Sequence, residues 1–148
     1  MPPRVTFYDM PFAARLALIA KLATAAWDRH RTMLIIAADA AMAEEVDGFL
    51  WDFQPDAFIP HEIWRGAAAL RDAHARILIA GPDEDPRAVP GRDVIVLLAP
   101  VDVDFAADFA AVVEVVARED QTATEVSRDR FRTWLKRGVR PEHRTTGD

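Results

Sequence analysis

Met33-Leu34-Ile35-Ile36-Ala37-Ala38, followed by Asp39, decides the fold of this 148-residue chain. Six apolar residues without alternation suit a strand covered on both faces, the condition of a parallel sheet inside an α/β protein. Asp39 stands where a helix running to about Phe53 needs an N-cap. Upstream, Leu16, Ile19, Ala20, Ala23 and Trp27 recur at helical spacing between Ala13 and Arg29, with Pro11 as a start signal. Arg4-Val5-Thr6-Phe7-Tyr8 reads as the first strand. Downstream, Phe58-Ile59-Pro60-His61 suits a short edge strand, where proline removes a ladder donor. Further strands are expected at Ala75 to Ala80 and Val94 to Ala99, separated by the polar, turn-rich loop Gly81 to Arg92. A helix from about Phe105 to Ala111 then precedes Val112 to Val116, read as a strand, although periodicity alone leaves that valine run open to helix. A last helix is expected from about Asp120 to Arg137, with Gly138 at C′.

This alternation predicts an α/β chain with a mainly parallel sheet and helices on both faces. Its length fits a single domain, taken as residues 1–140 with a short polar tail at 141–148, and its 51% hydrophobic content is ample for one core. The absence of cysteine excludes disulfides, thiol nucleophiles and thiolate metal sites. No apolar run approaches the roughly 20 residues a membrane helix needs. Met1-Pro2-Pro3-Arg4 leads into a strand rather than a signal peptide, so a cytoplasmic location is expected. A net charge of −6 argues against wrapping duplex DNA.

Nucleotide chemistry lacks its usual residues. The first strand-to-helix turn, Tyr8-Asp9-Met10-Pro11-Phe12-Ala13, contains no glycine to admit a pyrophosphate, and there is no Walker lysine motif, so no cofactor is expected. Asp9, Asp39, Asp102 and Asp104 follow strands, where ligands of such folds gather, but cap and turn duty explains them more simply. His30, His61, His74 and His143 are scattered without metal-ligand spacing, so no metal site is expected. Ser127 is the only serine and has no nucleophile elbow around it, while Lys21 and Lys136 offer no buried amine. A small enzyme working from the Asp9 and Asp102 end of the sheet remains an alternative.

The end of the chain inverts the charge balance. Residues 1–127 hold 11 basic and 21 acidic side chains, whereas 128–144 hold 7 basic and 2 acidic. At helical spacing Arg128, Phe131, Arg132 and Leu135 share one face, and Arg130, Trp134 and Arg137 an adjacent one. Arginines bracketing an aromatic ring suit a ligand that is part apolar and part anionic. Cations near a helix C-terminus also simply complement its dipole, and Asp129 could neutralise Arg132. A direct single-stranded DNA binder, stacking bases on Phe131 and Trp134, is a further alternative that the acidic remainder disfavours. Phe49, Trp51, Phe53 and Phe58 make a second cluster, either a core plug or an exposed landing site.

Val5-Thr6-Phe7-Tyr8, Leu50-Trp51 with Phe58-Ile59-Pro60-His61, Glu119-Asp120 and Arg128-Asp129-Arg130-Phe131-Arg132 together resemble, in order and spacing, the chi subunit family of the bacterial DNA polymerase III holoenzyme. The resemblance covers nearly the whole chain. It implies a Rossmann-like domain without nucleotide chemistry, acting as a non-catalytic replication adaptor at the clamp loader. It also implies that the last helix and preceding strand bind the acidic, apolar-tipped C-terminal tail of the single-stranded-DNA-binding protein (SSB), through Arg128, Phe131, Arg132 and the pocket residue Val116. Phe131 stands where the family has tyrosine, so one hydroxyl is missing, and arginine at 132 replaces lysine. By the same likeness Phe58 and Trp51 lie at the surface used by the psi subunit, or by a helicase-like partner. Single-stranded DNA would be reached only indirectly.

Overall fold

The computed structural model describes residues 2–53, 59–71 and 75–145. Their strands are β1 (Arg4–Met10), β2 (Met33–Ile36), β3 (His61–Ile63), β4 (Ile77–Ala80), β5 (Val94–Leu97), β6 (Ala111–Ala117) and β7 (Glu142–Thr145). They form one sheet in the order β3-β4-β2-β5-β6-β1-β7, and every pairing is parallel. The helices are α1 (Arg15–Asp28), α2 (Ala40–Asp52), α3 (Val103–Ala106) and α4 (Gln121–Lys136).

Both faces of the central strands are buried, and strand residues divide between the two faces with period 2. Leu34, Ile36, Leu78, Ile95, Leu97, Val112 and Val116 pack with Phe105 of α3 and Trp134 of α4. Met33, Ile35, Ile77, Ile79, Val96 and Val113 pack with Ile19 and Ala23 of α1 and Val46 and Leu50 of α2. That double burial is why the central strands read as unbroken apolar runs.

Local chemistry sets the helix ends. Asp39 accepts a 2.7 Å hydrogen bond from the Met42 N–H and so starts α2. Asp120 does the same for α4 through the Ala123 N–H at 3.1 Å. At the far end of α4 the Gly138 N–H donates to the Leu135 carbonyl and the Val139 N–H to the Trp134 carbonyl, both at 3.0 Å. This is a Schellman closure, and Gly138 supplies the required positive φ of 82°. Val139 and Trp134, both buried, add its apolar contact.

Three expectations need correction. The helix expected from Phe105 to Ala111 is the short α3, because Ala111 already pairs with Arg4 at the start of β6. The edge strand lies three residues later than Phe58-Ile59-Pro60-His61, at His61–Ile63. Phe58 itself lies outside the described residues. The region expected as a polar tail from 141 supplies β7, whose register sets Thr6, Phe7, Tyr8 and Asp9 beside Glu142, His143, Arg144 and Thr145. Its charged side chains blunt the exposed edge it presents.

Candidate functional site

The site is built where α4 crosses β6, β1 and β7. Because side chains of neighbouring parallel strands at one register level share a face, Val116, Asp9 and Thr145 lie on the α4 side, and so do Phe7 and His143. Above them α4 turns Thr124, Ser127, Arg128 and Phe131 toward the sheet. The result is a cavity of about 250 Å³. Its apolar lining is Phe7, Val116 and Phe131, the two rings tilted with centroids 5.3 Å apart. Phe131 is only partly buried and so remains available as a contact surface.

The arginines of the basic segment have divergent fates. Arg130 is drawn inward: its Nε donates to Glu114 Oε1 at 2.6 Å and its Nη1 to the Val101 carbonyl at 2.5 Å. Glu114 is buried and also accepts the Trp134 indole N–H at 2.8 Å on its other oxygen. Arg137 pairs with Asp104. Arg132 lies outside the cavity and pairs with Asp129 at 2.9 Å on the solvent face. Arg128 lines the cavity and, among the described residues, has no hydrogen bond or ion pair. Asp9, the acid at the rim, is held by Arg118 at 3.3 Å.

Three of the four expected tail residues, Arg128, Phe131 and Val116, therefore meet in one cavity, and Arg132 does not. On the adjacent face Arg130 and Trp134 form an internal tether to Glu114, while Arg137 makes a surface ion pair with Asp104. Trp134 is 0% exposed, which removes it as a base-stacking platform. Asp102 caps α3 by accepting from the Asp104 N–H at 3.2 Å, and Asp9 pairs with Arg118 at 3.3 Å. Phe7, Ser127 and His143 were missed by sequence reasoning. Only the β1 to β7 register, which no local pattern announces, places the last of them.

At the opposite sheet edge Trp51 is 50% exposed, its ring 4.9 Å from that of His61. The two rings line a broad cavity with Asp47, Pro60 and Glu62. His61 is buried, one ring nitrogen 2.8 Å from the Ile59 carbonyl and the other 3.1 Å from that of Asp47. Burial pushes the Asp47 carboxyl above the ordinary aspartate value, and His61 partly offsets this. Phe49 is partly buried against Phe53, so the aromatic stretch is divided between packing and exposure.

Comparison with known proteins agrees with this architecture. A solved structure titled "The crystal structure of T4 UvsW" superposes with a TM-score of 0.65 at 8% identity, covering 99% of this chain and 42% of that one, which shows the fold alone. "DNA polymerase III subunit chi" of Pseudomonas aeruginosa is 35% identical over 91% of each chain. The protein of the same name from Escherichia coli is 28% identical over 82% of this chain and 78% of its own. The family described as "DNA polymerase III chi subunit, HolC" matches residues 1–142. With that match spanning nearly every element of the sheet, the chain belongs to the DNA polymerase III chi subunit family.

Proposed function

We propose that this chain is a non-catalytic adaptor of DNA polymerase III that binds the acidic C-terminal tail of SSB and links it to the clamp loader. The observation that carries the reading is Arg128, a cation without an internal partner among the described residues, at the rim of a cavity with an apolar floor. A peptide terminus with an apolar last residue matches both halves: the side chain enters against Phe131, Val116 and Phe7, and the terminal carboxylate meets the guanidinium. Arg132 faces solvent one turn away and serves the acidic residues upstream, at the small cost of loosening an exposed ion pair with Asp129. Trp51, exposed at the other sheet edge, serves the psi subunit or an equivalent clamp-loader partner, and the family likeness assigns Phe58 the same role.

The test is calorimetric titration with a peptide copying the SSB tail, against the same peptide lacking its final apolar residue. Arg128→Ala should weaken the first by about 1.5–3 kcal/mol, the range for hydrogen bonds to charged groups. Wild-type binding should fall as salt rises, because the guanidinium is at the surface. Equal affinity of wild type and Arg128→Ala would overturn the reading. Saturable binding of single-stranded oligonucleotide without SSB, abolished by Phe131→Ala, would favour direct DNA binding instead.

A further inference from the structure

We infer that His143, carried by the edge strand β7, is a further binding residue of the α4 cavity and hydrogen-bonds the ligand's terminal carboxylate from the side opposite Arg128. This rests on the tail-binding reading above. The register pairs His143 with Phe7, so its imidazole stands on the same face of the sheet as the cavity's innermost ring. It lines the cavity together with Arg128. Among the described residues the ring has no hydrogen bond or ion pair, although it is exposed on a strand whose neighbour Arg144 pairs with Glu142 at 3.2 Å.

The chemistry of the lining explains why a donor is needed on the wall facing α4. Phe7, Val116 and Phe131 offer nothing to a carboxylate, the Thr124 hydroxyl donates to the Asp120 carbonyl at 3.0 Å, Ser127 shares the α4 wall with Arg128, and Asp9 is an acid that repels a carboxylate, moderated by Arg118 at 3.3 Å. With the α4 donors Arg128 and Ser127 alone, a carboxylate would be held from one side beside that acid. An imidazole N–H on the β7 wall completes a two-sided clamp, and the ring's flat face extends the apolar floor for the last side chain. A slip of β7 by one residue would send His143 to the other face and bring up Arg144 or Glu142, so the clamp depends on the register.

The experiment titrates the full chain with a peptide copying the SSB tail, carrying either a free or an amidated C-terminus, and uses thermal unfolding to verify each variant. His143→Ala should weaken the free-carboxylate peptide about two- to tenfold, the effect of one hydrogen bond. His143→Gln, which retains a donor, should recover part of that loss. Arg144→Ala, on the opposite face of the same strand, should bind as wild type. The amidated peptide should bind weakly and equally to wild type and His143→Ala. Unchanged affinity of a folded His143→Ala for the free-carboxylate peptide, with Arg128→Ala still weakened, would overturn this inference alone. Loss of the Arg128 effect would overturn the parent reading.

Discussion

Replacing Glu114 by alanine should detach α4 from the sheet more effectively than any change on the helix surface. One carboxylate oxygen receives Arg130 Nε at 2.6 Å and the other the Trp134 indole N–H at 2.8 Å. Arg130 and Glu114 have side chains only 11% and 6% exposed, so the pair is not a surface ornament. Alanine would leave Arg130 with the Val101 carbonyl alone and Trp134 with no acceptor. Breaking a buried pair on one side costs about 3–5 kcal/mol. An orphaned buried N–H costs about 1–3 kcal/mol, a share of that figure rather than an addition to it. A loss of about 4 kcal/mol is therefore expected. At roughly 2–4 °C per kcal/mol for a chain of this size, the midpoint should fall by about 8–16 °C. Urea unfolding followed by circular dichroism and tryptophan emission gives the free energy directly. Glu114→Gln retains one acceptor oxygen but sets an amide N–H against a donor, so it should fall between the two. A loss below about 1 kcal/mol with an unchanged denaturant slope would refute the tether, since the slope reports the surface exposed on unfolding.

Gly138→Ala should cost about 1–2 kcal/mol in urea unfolding, because only backbone strain opposes it: an added Cβ meets nothing within 4 Å, while φ is 82°. Asp47→Asn should change the pH profile of stability. Burial raises the folded-state value of Asp47, so its contribution is fully present below the unfolded-state value and is lost as pH rises through the folded-state value. The variant should gain stability relative to wild type across that acid window, and parallel curves would count against it. For the tail peptide, Arg132→Ala should lose less affinity than Arg128→Ala and respond more to salt, as expected of an outward cation already paired with Asp129.

The parts of the fold that were legible in the sequence are those fixed by near neighbours. Asp39 and Asp120 act on N–H groups three residues ahead, and Gly138 closes α4 through atoms of the same turn. The buried strands announced themselves because both faces are apolar. β7 did not, since Glu142-His143-Arg144-Thr145 has no apolar pattern and its strand state comes from pairing with β1. For the same reason His143 went unnoticed while Arg128 and Phe131, one turn apart on a helix, were found together. Helical spacing grouped Arg132 with them but could not reveal that Asp129 holds it at the rim's outer side. Nor could it show that Trp134 points inward to an acid twenty residues earlier.

The position of β1 has a consequence for the order in which the cavity comes into being. Its two flanking partners are β6 and β7, and a contact such as Arg118 to Asp9 spans 109 residues. During synthesis the first strand must wait, both edges open, until nearly everything else has emerged from the ribosome. Such distant closures form slowly. A nascent chain cut short before β7 would carry Arg128 and Phe131 yet lack the strand that brings His143 to the cavity, so the cavity's lining is completed only once β7 has emerged.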